Sequence, residues 1–194
     1  MIENVISKKQ WSYGKKIGVK TLISAIIIIS AVVLPQIVHL AVGAQGGVKY
    51  LPMYLPVVIG GAIMGATWGV FIGMLAPLTS FLITTALGNP MPMAARLPFM
   101  MAELGVFALV SGAFGKLIYS KPWTAFIAVI SAEIIGRAFF LLLVAIFGKF
   151  TPFSVAMIWG QIKVGLVGAA LQAVIAPLII IGVRKIIKND ESKQ

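Results

Sequence analysis

The chain has 194 residues, 60% of them hydrophobic, a mean hydropathy of +1.03, and five acidic residues against sixteen Lys and Arg. Apolar runs of about 20 residues at that hydropathy exceed what a soluble core of this size needs, so an integral membrane protein is expected. With no Cys and one His, disulfides, thiolate chemistry and a His-based metal site are excluded, and no metal or cofactor is expected.

The excess positive charge sits at the two ends. Lys8, Lys9, Lys15, Lys16 and Lys20 precede the first apolar run, and Arg184, Lys185, Lys188 and Lys193 follow the last. That is the pattern of cytoplasmic flanks rather than of a nucleic-acid surface, which would interleave basic residues with aromatics in a polar segment. The expected division is a basic cytoplasmic segment over 1–20, a membrane domain over 21–182 and a basic, polar tail over 183–194. A lysine-rich start before "TLISAIIIISAVVL" also resembles a signal peptide. Against cleavage, the apolar stretch runs on to about Gly43, long enough to span.

In chain order, spans are expected at 21–43, 52–66, 68–87, 97–118, 123–147 and 154–182. Only "GATWG" separates the second from the third, and Pro77 should bend the third. With both ends inside, all Lys and Arg fall on the cytoplasmic side except Lys49, Arg96 and Lys149, which fall outside, and Arg137 and Lys163, which fall within spans. The expected fold class is therefore an all-α integral membrane protein, a compact bundle of six transmembrane helices with both termini cytoplasmic.

Gly61, Gly65, Gly69 and Gly73 recur at four-residue spacing, and Gly165, Ala169 and Ala173 repeat the idea in the last span. Small residues on one helical face let backbones approach closely in lipid. The ladder serves either packing within the bundle or contact with another membrane protein.

Charges at depth in a bilayer are costly and face a partner or a wet cavity. At ~1.5 Å per residue Glu103 lies ~10 Å, Arg137 ~15 Å and Lys163 ~13 Å below the outer surface. Arg96 stands at the rim of this polar level. Trp159, Tyr54 and Asn89 add a stacking face and hydrogen-bonding groups near it, as do Gln161 and Gln172. Two simpler pairings compete with a ligand site: Glu133 with Arg137 at i, i+4, and Glu103 with Lys163 between helices. His39 reads as an interfacial residue. No Walker loop, H-E-x-x-H, G-x-S-x-G or His-Asp-Ser set can be assembled, so no enzyme is expected and energy for transport must come from elsewhere.

The run from Tyr50 to Tyr119, with its Pro-rich lead into the second span, Gly-rich turn, P-x-P outer loop and "AEL", resembles the middle of substrate-binding S components of energy-coupling factor (ECF) transporters. "IIGR" and "GLVGAALQAVIAPLII" fit the family's last two spans. The resemblance implies a six-helix subunit of a bacterial plasma membrane that captures a water-soluble vitamin or related micronutrient. It also implies partners: a transmembrane T component and two cytoplasmic ATPases of an ABC-type importer. Ligand would lie among Glu103, Arg137, Lys163, Arg96, Trp159, Asn89 and Tyr54. Many members carry A-x-x-x-A in the first span; here "SAIIIISA" offers Ala25 and Ala31, with the glycine ladder as a second docking face. The alternative is a stand-alone secondary transporter, against which no inverted repeat or matched pair of broken helices is evident.

Overall fold

The computed structural model describes residues 6, 11–43 and 45–191. Lys8, Lys9 and Lys193 lie outside them. The helices are α1 (Tyr13–Val42), α2 (Gly46–Tyr50), α3 (Tyr54–Met64), α4 (Ala66–Ala86), α5 (Leu97–Ala113), α6 (Gly115–Ser120), α7 (Thr124–Phe147) and α8 (Val155–Glu191), with a 3-10 turn at Gly148–Phe150. There is no strand among the described residues. By length and composition five segments can cross a membrane: α1, α2 and α3 taken together, α4, α7 with its turn, and α8. The chain is a multi-pass membrane protein. The expected fourth span is shorter, the 17-residue α5, and it is enclosed by α3, α4 and α7. Its Glu103, Leu104, Phe107, Ala108 and Ser111 are all buried.

Helix ends follow local chemistry. Ser12 caps α1 by accepting from the Lys15 N–H, and Gly43, at φ 80°, closes it by donating to the His39 carbonyl at 2.9 Å. Among the described residues Lys15, Lys16, Lys20, Arg184, Lys185 and Lys188, expected on flanking tails, stand instead on extended helix: α1 begins at Tyr13 and α8 runs on past 182 to Glu191. Arg184 donates to the Tyr119 carbonyl at 3.0 Å, tying the end of α8 to α6. Helix order then brings both described ends of the chain to one end of the bundle. The loops around 43–53, 87–96 and 148–154 occupy the other.

The "GATWG" segment is a hairpin. Gly65 adopts φ 89° and ψ 169°, a conformation an L side chain rarely takes, and reverses the chain between α3 and α4. The two helices then touch where the Cα of Gly61 lies 2.9 Å from a Cβ built on Gly69. Added Cβ atoms on Gly61 and Gly73 would collide with the carbonyl oxygens of Ala108 and Leu104, and one on Gly69 would lie 2.9 Å from the Ala108 oxygen. Three of the ladder glycines are therefore spent on seating α3 and α4 against α5, and the fourth makes the turn. Of the two readings of the ladder, these contacts support packing within the bundle: an added Cβ at Gly61, Gly69 or Gly73 meets the chain's own atoms. Ala31 is likewise fully buried, whereas Ala25 is exposed. On α8 the closest approach is at Gly168, where a Cβ would stand 2.6 Å from the Tyr50 carbonyl carbon, so the small residues there admit α2.

Candidate functional site: a cavity at the loop end of the bundle

A cavity of about 250 Å³ opens at the loop end, away from the chain's basic ends. The last turns of α1 bring Gln36 and His39 to it; α3 brings Tyr54, the loop after α4 brings Met91 and Arg96, α7 Arg137 and Phe140, and α8 Ile158 and Gln161. The loop is pinned to α4. Ser80 Oγ donates to the Met91 carbonyl at 3.0 Å, and the Met91 N–H donates to Thr84 Oγ1 at 2.8 Å.

Under the cavity lies a three-helix polar knot. Tyr54 OH donates to Glu103 Oε2 at 2.6 Å, while Arg137 Nη1 donates to Glu103 Oε1 at 2.5 Å and to Tyr54 OH at 3.2 Å. Glu103 is wholly buried, and the Arg137 guanidinium stacks 4.4 Å from the Tyr54 ring centre. The approach that makes this possible comes from Gly136, where any side chain would strike the Phe107 ring, so that α7 lies close enough to α5 for Arg137 to reach across. Arg137 spends only Nη1 on the protein. Its Nε and Nη2 have no partner among the described residues.

Two further polar atoms at the cavity are unsatisfied. Gln36 Nε2 and Gln161 Oε1 are buried without a hydrogen-bond partner, although buried polar atoms in native structures are nearly always paired. Arg96 is half-buried, lies 5.6 Å from the Phe140 ring centre and forms no ion pair among the described residues.

The sequence-predicted residues separate into two groups. Glu103, Arg137 and Tyr54 meet, and Arg96 joins them at the cavity wall. Lys163 does not: it is exposed on the outer face of α8, its Nζ 5.9 Å from the ring of Trp159, which is itself half exposed. The expected Glu103–Lys163 pair is therefore replaced by Glu103–Arg137. The i, i+4 pair of Glu133 with Arg137 does not form a hydrogen bond either, and Glu133 Oε1 is left buried without a partner. Asn89 is exposed in the loop and does not line the cavity. Gln36, His39 and the Met53, Met91, Met93 and Met100 cluster are lining residues that no motif announces. For Gln36 the available signal is an amide inside an otherwise apolar run.

Trp159 instead borders a second crevice of about 310 Å³ between α7 and α8, together with Glu133, Gln172 and the far side of Arg137. Gln172 Nε2 donates to the Leu51 carbonyl at 2.9 Å, closing the inner end of that crevice. Among the described residues no group of three or more potential metal ligands occurs. No protein-family model, curated protein or solved structure matches the chain.

Proposed function

We propose that this chain is the membrane-embedded substrate-binding subunit, the S component, of an ECF-type ABC importer in a bacterial plasma membrane. In this reading it has six spans and cytoplasmic termini, and captures a water-soluble vitamin or related micronutrient from outside. The observation that carries the reading is the loop-end cavity, in which two amide side chains, Gln36 and Gln161, each have one buried atom without a partner, beside two guanidinium groups with unused donors. A closed structural core would satisfy those atoms internally, whereas a binding site leaves them for a ligand. The side is supported by charge: the end opposite the cavity carries Lys15, Lys16, Lys20, Lys116, Lys121, Arg184, Lys185 and Lys188. A T component and two ATPases would supply the energy for which the chain has no nucleotide motif.

Glu133, with an unpartnered carboxylate oxygen in a crevice bordered by the same Arg137, favours a second reading as an ion-coupled transporter. Uptake of a panel of labelled vitamins separates the two. Accumulation that requires a co-expressed T component and catalytically intact ATPases supports the importer subunit. Accumulation by the chain alone, abolished by a protonophore, contradicts it.

A further inference from the structure

The charge balance of the cavity narrows its ligand, resting on the reading that this cavity holds a small solute. Arg137 is neutralised by Glu103, which leaves Arg96, with His39 counted as neutral, as the one uncompensated charge among the described residues that line the space. No carboxylate lines it among the described residues. Arg137 lines the same cavity with Nε and Nη2 unpartnered among the described residues, and the planar fork of a guanidinium matches a carboxylate in shape as well as charge. Gln36 and Gln161 each bring a buried polar atom without a partner. The rest of the wall is Met53, Met91, Met93, Met100, Phe140 and Ile158, a flexible and polarizable apolar surface.

We propose that the ligand is a compact monocarboxylic acid, its carboxylate held by Arg96 and the free edge of Arg137 and its uncharged body hydrogen-bonded by Gln36 and Gln161. One negative charge brings the site to neutrality. A phosphate monoester would carry an excess negative charge into a low-dielectric space, a cation would add to Arg96, and a neutral compound would leave Arg96 facing an apolar wall.

The test is calorimetric titration of the full chain, purified in mild detergent from cells grown on minimal medium, with matched pairs that differ in charge. The pairs are nicotinate and nicotinamide, pantothenate and panthenol, and biotin and its primary amide, with pyridoxal phosphate and pyridoxal as the dianionic comparison. At least one acid should bind about 10- to 100-fold more tightly than its neutral twin, the range expected for charge-assisted hydrogen bonds. Arg96→Gln should shrink that preference at least about tenfold, while Lys149→Gln, the same charge change at the same end but off the cavity wall, should preserve it. The wild-type comparison stands even if Arg96→Gln does not fold. Equal or tighter binding of the neutral twin, tightest binding of the phosphate, or a preference that survives in folded Arg96→Gln overturns the carboxylate assignment and leaves the importer reading standing. Failure of every compound to bind overturns the assignment too; if no small molecule co-purifies from rich medium either, the importer reading falls with it.

Discussion

Glu103 is the residue on which the interior of this bundle turns, because it is fully buried and answers both Tyr54 and Arg137. Removing one partner of a buried pair leaves the other charge uncompensated, so Glu103→Gln should cost about 3 to 5 kcal/mol. The double change Glu103→Gln with Arg137→Met should recover a large part of that loss, and Tyr54→Phe alone should cost about 1 to 3 kcal/mol. Melting temperatures of the purified variants read this directly; a Glu103→Gln protein as stable as wild type would show that the knot is not structural. Lys163→Gln, by contrast, should change stability by less than about 0.5 kcal/mol, since Lys163 is exposed. The rare charges were legible in the sequence, and helical rise gave their position along each helix. Their pairing was not. Depth does not fix the azimuth: Ile158, Gln161, Ile162, Gly165, Ala169 and Gln172 form the inward stripe of α8, and at about 100° per residue Lys163 falls roughly 150° from the centre of that stripe, on the outer face.

Between helices, the energetics rest on close backbone approach, since lipid gives apolar side chains no reason to leave it. Gly73→Ala places a methyl against the Leu104 carbonyl, and Gly61→Ala one against the Ala108 carbonyl as well as the Ser111 hydroxyl, so backbone must yield at both. Each should destabilise by about 1 to 3 kcal/mol. Gly182→Ala is the matched control: it lies within α8 with nothing within 4 Å of an added Cβ, and should be neutral or slightly stabilising. Thermal unfolding of the three variants decides the matter, and equal behaviour of Gly73→Ala and Gly182→Ala would remove the ladder from the packing. Four-residue glycine spacing signalled contact in the sequence, but contact within the chain and contact with a partner require the same residues. Nor did the spacing single out Gly65, whose positive φ makes the hairpin, because it continues the same repeat.

For the whole molecule, hydropathy made the helical membrane class legible, and the apolar runs placed each long helix near its position. The basic flanks looked like tails only because charge counts say nothing about helical continuation. The proposed sidedness rests on the same charges and is testable without background, because the chain has no Cys. A cysteine at position 149, in the loop-end turn, should react with an impermeant maleimide added to intact cells, and one at position 121 should react only after the membrane is opened. The reverse pattern would turn the cavity to the cytoplasm and remove capture from outside.

The central claim is that the loop-end cavity holds a small molecule, and native mass spectrometry of the protein released from mild detergent tests it most directly. Wild-type protein from rich medium should carry one bound small molecule. Met100→Trp, which fills the cavity, and Gln161→Leu, which keeps its volume and removes a polar contact, should lose it at unchanged melting temperature. A wild-type spectrum with no bound small molecule, or equal retention by stably folded Met100→Trp and Gln161→Leu, would contradict the account.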